Sequence, residues 1–277
     1  MAALLRLLAL LVATAAVVSG LAAVGLYAIG SARLSAKLSV PNESVAVPND
    51  VPSLRHGQHL ASAVALCLEC HGPNLAGSVV FDQRDRGRVV APNLTRGRGG
   101  VGASRSDAAV VRAIRQGVDP TGRPLLLMPS DQYFDMGDAD AGAIVEYIRS
   151  TPPIDTTLPP TEISVLGRIL FAAGRFPLIP AARIDHFAPR PTPPPPGPTR
   201  DYGRYLVEIA GCGACHAPGL VPLGSWSEAE FLRIMRTGTR PDGRVLNDAM
   251  PWQYFAQMTE DELAAIWTFL ELAPPAR

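Results

Sequence analysis

The chain has 277 residues, 47% of them hydrophobic, and its 25 basic residues balance 25 acidic ones. This length is enough for one large domain or two small ones, and a zero net charge excludes a strongly cationic protein, so we expect no nucleic-acid partner. Lys37 is the one lysine, so any cationic docking surface must consist of arginine. Residues 82–115 contain eight arginines and three aspartates. These arginines are predicted either to form such a docking surface or to neutralise the acidic groups of a bound cofactor.

The N-terminal region contains a long uncharged run, from Leu7 to Ile29. As a helix these residues would rise about 34 Å, enough for a hydrocarbon core of about 30 Å. A signal peptide has a shorter apolar part, about 7–15 residues, and Gly30-Ser31-Ala32 is only a weak cleavage site. We therefore predict a transmembrane anchor over residues 1–30, with a cleaved signal as the alternative. Residues 31–54 lack helical periodicity and are predicted to be a tether.

Two five-residue motifs follow, Cys67-Leu-Glu-Cys70-His71 and Cys212-Gly-Ala-Cys215-His216, and they use every cysteine of the chain. Each is C-x-x-C-H, the attachment signature of c-type haem. Two thiols three positions apart can add to the vinyl groups of one porphyrin, and the next histidine then binds the iron. A redox dithiol or a zinc site is the alternative, but zinc knuckles normally lie much closer together in sequence.

The sequence after each motif repeats as well. Residues 106–117 align without a gap with residues 227–238, and both read as a helix with a serine N-cap and a glycine just past its end. A final helix follows in each copy, capped by Asp138 in the first and by a Thr259–Glu262 capping box in the second. We therefore predict two haem domains, residues 55–153 and 201–277.

The linker between the copies, residues 154–200, is rich in proline and is predicted to be a semi-rigid extended strap. Within it, Ile163 to Phe176 is apolar enough for a short helix. That helix packs either on a haem domain or across the junction between the two domains.

The second axial ligand of each iron is predicted to be a methionine. Met128 and Met250 hold equivalent places, each before a proline that restricts it to extended geometry. Met136 and Met258 are the alternative pair. The predicted metal ligands are thus His71 with Met128 and His216 with Met250. An iron closed on both faces has no site for a substrate, so we expect two covalent haem c groups that transfer electrons and do no catalysis.

These motifs resemble class I cytochromes c, and the larger pattern is similar to the membrane-associated multihaem cytochrome c subunits of bacterial alcohol, aldehyde and gluconate dehydrogenases. The resemblance rests on Cys67–His71, the Gly-Pro-Asn-Leu at 72–75, the Ala-Pro-Asn-Leu-Thr at 91–95 and Met128-Pro129. It implies an all-α fold of two tandem cytochrome c domains. That family usually carries three haems, whereas this chain has two motifs, and the second copy lacks the loop around Asn93.

We therefore expect a dihaem cytochrome c held by a single N-terminal anchor on the periplasmic side of a bacterial inner membrane, since haem c is attached outside the cytoplasm. Its redox partners would be a dehydrogenase or quinol-oxidising complex as donor and an oxidase or soluble cytochrome as acceptor. No small-molecule substrate is expected. The alternatives are a dihaem oxidoreductase with one open haem, of the peroxidase or thiosulfate-oxidising type, and a structural subunit whose haems stabilise a complex.

Overall fold

The computed structural model describes residues 1–216, 226–247 and 249–271, and helices predominate within these ranges. In chain order they are α1 (Ala2–Ser35), α2 (Val51–His59) with a π-helical turn (Leu60–Val64), α3 (Cys67–His71), α4 (Asp107–Gln116), α5 (Ser130–Tyr133), α6 (Asp138–Ser150), α7 (Val165–Ala172), a 3₁₀ turn (Pro180–Arg183), α8 (Arg200–Ile209), α9 (Gly213–His216), α10 (Glu228–Thr237), α11 (Trp252–Phe255) and α12 (Glu260–Glu271).

The all-α expectation needs one correction, because three short strands form a sheet in the order β1 (Ser78–Gln83), β2 (Gly87–Ala91) and β3 (Glu162–Ile163). Both pairings are antiparallel, and β1 and β2 form a hairpin. The hairpin occupies the region predicted as a loop, and β3 comes from the predicted strap.

Helix α1 extends beyond the predicted anchor, through Ser35, and is long and apolar enough to cross a membrane. Its most apolar 18-residue window has a mean hydropathy of 2.5 and no buried residue. The predicted tether differs from the structure. It is helical at both ends, since α2 begins at Val51, and in between Leu38 N–H donates to Gly122 O over 2.9 Å and Glu43 is buried beside Arg115.

The same close helix crossing occurs twice. Helix α2 packs on α6, and a Cβ atom added at Gly57 would collide with the carbonyl oxygen of Ala143. Helix α8 packs on α12, and a Cβ at Gly203 would collide in the same way with the carbonyl of Ala265. We call residues 51–150 the first segment and residues 200–271 the second segment.

Hydrogen bonds repeat between the two segments. Ser106 and Ser227 cap α4 and α10 as predicted, and both helices end at a left-handed glycine, Gly117 and Gly238, each with φ 65°. After each glycine, the N–H of Leu125 or Leu246 donates back to the glycine carbonyl over 2.7 Å. The Thr259–Glu262 capping box also forms, whereas Gly137 is the N-cap of α6 and Asp138 lies inside its first turn.

The two segments pack against each other through a reciprocal polar contact. His59 Nε2 on α2 lies 2.8 Å from the carboxylate of Glu262 on α12, and Tyr205 on α8 donates to Asp140 on α6. His59 and Tyr205 each lie two residues after the crossing glycine, and Asp140 and Glu262 hold the same register in their helices. The interface is therefore a pseudo-twofold one, in which each segment presents the same patch to the other. Buried apolar residues of both segments form one continuous cluster around it.

The strap is folded and packs on the first segment. Strand β3 pairs with β2, and the apolar stretch predicted as a short helix forms α7, which packs on α1. Close backbone approaches hold α7 in place, since a Cβ at Gly167 would strike the carbonyl of Arg86. A second, smaller apolar cluster lies beneath the strap: Val89, Ile163, Phe176, Leu178, Ile179 and Ala181.

Candidate haem-attachment sites

Each cysteine motif begins after a residue in left-handed conformation. Leu66, before Cys67, has φ 51° and ψ 30°, and Gly211, before Cys212, has φ 69°. This turn ends the preceding helix and starts a new one at the cysteines, so that α3 carries both thiols and His71 on little more than one turn. A leucine in this region is strained, and such strain concentrates at functional sites.

The four thiols are free and do not form disulfides. Burial raises the pKa of Cys67 to about 12, with Cys70 adding to the effect, and burial likewise raises the pKa of Cys212 to about 11. A reactive dithiol has a lowered thiol pKa instead, so these cysteines lack the character of a redox pair. Nor do three His, Cys, Asp or Glu side chains group together as a bare-metal site anywhere in the described ranges. All four thiols are thus free for thioether bonds to porphyrin vinyl groups.

The side chain of His71 is oriented by the loop after the hairpin. Its Nδ1 lies 2.9 Å from the carbonyl oxygen of Pro92, which follows directly on β2. A carbonyl can only accept, so Nδ1 carries the proton and Nε2 keeps its lone pair for a metal. Burial lowers the pKa of His71, against an opposing effect of the Pro92 carbonyl, and therefore keeps the ring neutral, as ligation requires.

Met128 is joined to the first attachment motif through α5. Tyr133, five residues after Met128, donates a hydrogen bond to the carbonyl of Ala65, two residues before Cys67. Burial, with the nearby Cys67 and Cys70 adding to it, raises the pKa of Tyr133 well above its ordinary value. Met128 itself is partly buried at the margin of the apolar cluster, beside the same core as Cys67.

The alternative methionine pair lies in the core. Met136 and Met258 are each 1% exposed and belong to the continuous apolar cluster, as expected of gap-filling side chains. Met128 and Met250 are more open, and their loops match: the N–H of Ser130 donates to Met128 O over 2.8 Å, and that of Trp252 donates to Met250 O over 2.7 Å.

The second motif is placed by α8 and α9. Cys212 and Met250 are partly buried at the margin of the shared cluster, and Cys215 is exposed. The N–H of His216 donates to Cys212 O over 3.0 Å, which closes the helical turn. Residues 217–225, which follow directly on the second motif, are outside the described ranges.

Each methionine loop also contacts the attachment segment of the other half. The side chain of Gln132, four residues after Met128, lies against Gly211, next to Cys212. Tyr254, four residues after Met250, lies beside Glu69 between the first pair of cysteines, and its pKa is raised by burial and by this carboxylate. The pseudo-twofold contact therefore brings the two candidate sites next to each other.

Several functional positions were missed by the sequence reasoning. His56 lies 2.7 Å from Asp140, and His59 bonds Glu262 across the interface, although neither histidine belongs to a sequence motif. Pro92 and Tyr133 were not singled out either. The sequence does hold one sign of this contact, because Asp140 follows Met128 at the same spacing as Glu262 follows Met250. Which histidine each acid contacts becomes clear only from the interface.

The arginines of residues 82–115 do not act as one surface. Arg115 is buried and pairs with Asp138 over 2.8 Å. Arg88 pairs with Asp82 and Arg98 with Asp155, whereas Arg84 and Arg96 are exposed. Among the described residues, four of these eight arginines pair with acids: Arg86, Arg88, Arg98 and Arg115.

Comparison with known proteins supports haem chemistry at the first motif. Residues 52–148 match the family described as cytochrome c oxidase, cbb3-type, subunit III. The fructose dehydrogenase cytochrome subunit of Gluconobacter japonicus is 27% identical over 274 residues, covering 84% of this chain. The chain spans only 55% of that relative's length. Both similarities support electron transfer and covalently bound haem c, and the thiols and histidine described above fit that cofactor. Together these two similarities support a c-type cytochrome that resembles a dehydrogenase cytochrome subunit.

Proposed function

We propose that the chain is a dihaem electron-transfer protein, with one haem c in each segment. Cys67 and Cys70 hold the first and Cys212 and Cys215 the second, with His71 and His216 as the proximal ligands. Bound haem c would supply a one-electron iron couple at each site. The observation that carries the proposal is the repeat: each motif follows a left-handed residue, stands beside a glycine helix crossing and precedes a matched Met-Pro loop.

Met128 and Met250 are proposed as the distal ligands. Their loops have matching hydrogen bonds, and both side chains stand at the margin of the core. A thioether ligand raises the reduction potential and closes the iron to substrates, which suits electron relay. The reciprocal contacts of Gln132 and Tyr254 support passage of electrons from one segment to the other.

The protein is proposed to work on the periplasmic side of a bacterial inner membrane, anchored by α1. Its donor would be a dehydrogenase or a quinol-oxidising complex, as the similarity to a dehydrogenase cytochrome subunit suggests, and its acceptor an oxidase or a soluble cytochrome. The proposed domain boundaries are those of the sequence repeat, residues 55–153 and 201–277, joined by the strap.

Haem counting on variants tests this proposal. The protein matured in a host with a haem c assembly system should contain two haems per chain, measured as the pyridine haemochrome against protein mass. The double variant Cys67→Ser, Cys70→Ser and its matched counterpart Cys212→Ser, Cys215→Ser should each retain one. One haem in the unaltered protein would contradict the second site.

Spectroscopy separates the proposal from an oxidoreductase with an open haem. Two low-spin haems that bind neither cyanide nor carbon monoxide are expected if both methionines ligate. A high-spin component in the unaltered protein that takes up carbon monoxide would favour the enzyme alternative.

A further inference from the structure

Helix α7 exposes apolar side chains at the end of the candidate membrane helix. Val165 is 62% exposed and Leu166 is 45% exposed. The helix has one charged residue, Arg168, so its exposed surface is mainly apolar. The rest of α7 is partly or fully covered by α1 and by the second apolar cluster. Val165 and Leu166 are therefore apolar side chains that the described part of the protein leaves largely uncovered, on a helix that packs against α1.

The contacts with α1 place α7 at a defined height along that helix. The covered stripe of α1 consists of residues 23, 26, 30, 31 and 34, which lie on one helical face. A Cβ at Gly30 would strike the carbonyl of Arg168, so the two backbones touch there. This is where the uncharged run Leu7–Ile29 ends and the first charge after it, Arg33, follows.

The polar atoms at this height match a membrane interface. The guanidinium of Arg168 lies 6.0 Å from the ring centroid of Tyr27 and 3.3 Å from Ser31 Oγ, and is therefore turned towards α1. Arg33, Lys37 and Arg175 are exposed nearby in sequence, at the ends of the two helices. Aromatic and basic residues at the end of a spanning helix are typical of the headgroup level.

We infer that α7 is a second membrane contact: its Val165–Leu166 face enters the acyl boundary of the same leaflet in which α1 ends, with the surrounding arginines among the lipid phosphates. The inference rests on the proposed anchoring role of α1. The lipid bilayer is the occupant favoured by continuity, because the neighbouring surface of α1 is exposed and apolar along its length. Since β3 and α7 are joined, the first segment is thereby held against the membrane surface.

Photocrosslinking in the full chain tests this contact. Benzoylphenylalanine is introduced at Leu166, and the protein is reconstituted into vesicles of phosphatidylethanolamine and phosphatidylglycerol. After irradiation, lipid adducts are counted by mass spectrometry. Leu21 on α1 is the positive control, and Val245, 69% exposed in the second segment, is the matched negative control.

The expected result is lipid adducts at positions 166 and 21, with at least a tenfold lower yield at 245. Adducts at 21 without adducts at 166, or crosslinks from 166 to another protein chain, would overturn the inference while leaving the anchor in place. No adduct at 21 would refute the anchor, and with it the inference, whereas the haem count would be unaffected.

Discussion

Gly57 and Gly203 stand at helix crossings where the opposite backbone leaves no room for a side chain. Adding one methyl group must therefore push α8 away from α12, or α2 away from α6. We expect Gly203→Ala to cost about 1–3 kcal/mol of stability, the usual effect of overpacking, and to lower the melting temperature of the holoprotein. Gly20→Ala is the control, since a Cβ there has no neighbour within 4 Å. Equal melting temperatures for the two variants would show that the crossings are looser than described.

The methionine ligands are testable one residue at a time. Met128→Ala should remove one sulfur-to-iron absorption band and lower one reduction potential, because the soft thioether stabilises ferrous iron. Met250→Ala should do the same for the other haem. Met136→Leu, a volume-conserving change in the core, should leave both bands in place. An unchanged spectrum in either alanine variant would disprove that ligand.

At the scale of elements, the buried carboxylate of Glu43 connects three parts of the chain: the stretch between α1 and α2, helix α4, and the strap. Glu43 contacts Arg115 and Arg190 and accepts a hydrogen bond from Gln116 over 2.6 Å. Because Arg115 is 1% exposed, its charge depends on this partner and on Asp138. We expect Glu43→Ala to cost roughly 3 kcal/mol in chemical denaturation of the holoprotein.

The matched control is Asp82→Asn, which breaks the exposed pair with Arg88 and should change stability by less than about 1 kcal/mol. If Glu43→Ala lowered stability by as little as Asp82→Asn, the Glu43 carboxylate would not be what holds these three parts of the chain together.

The contact between α2 and α6 should depend on pH. The hydrogen bond to Asp140 raises the pKa of His56, against an opposing effect of burial and with Coulomb attraction from Asp140 and Glu262 adding to it. A raised pKa means that the folded protein holds the proton more tightly than the unfolded chain. The His56–Asp140 pair therefore contributes its full stabilisation below about pH 6.5. This stabilisation is lost as the pH rises through the pKa of His56 in the folded protein.

Melting temperatures of the unaltered protein and of His56→Gln check this sign. The difference between them should be largest near pH 6 and should shrink towards about pH 8. A difference that grows with pH would contradict the pairing with Asp140.

For the whole molecule, the repeated sequence forms a shared core instead of two separate bodies. The continuous apolar cluster and the His59–Glu262 and Tyr205–Asp140 pairs should hold the segments together without the covalent linker. We expect that a protease site inserted within residues 191–199, where the strap is largely exposed, can be cut without release of the second segment.

The measurement is co-sedimentation of the cut second segment with membranes. The double variant His59→Ala, Tyr205→Phe is the comparison and should release more of it. Complete release from the unaltered interface would show that the strap alone connects the segments.

The sequence by itself determined the local chemistry: both cysteine motifs, the serine caps of α4 and α10, the capping box of α12 and the apolar run of α1. These depend on residues a few positions apart, so a linear pattern is enough to recognise them. The prediction of Asp138 as a cap was wrong by one position, because Gly137 takes the extended conformation and Asp138 pairs with Arg115.

Only the tertiary structure decided how the pieces meet. The strap gained a strand because β2 had an unpaired edge, and its predicted helix packs on α1 because α1 has an apolar face. Neither of these partners is visible in the linker's own composition. The orientation of His71 by Pro92 and the pairing of His59 with Glu262 join residues far apart in the chain. Such contacts depend on how the two segments dock, and docking is set by the sum of many burial and hydrogen-bond terms that no single motif records.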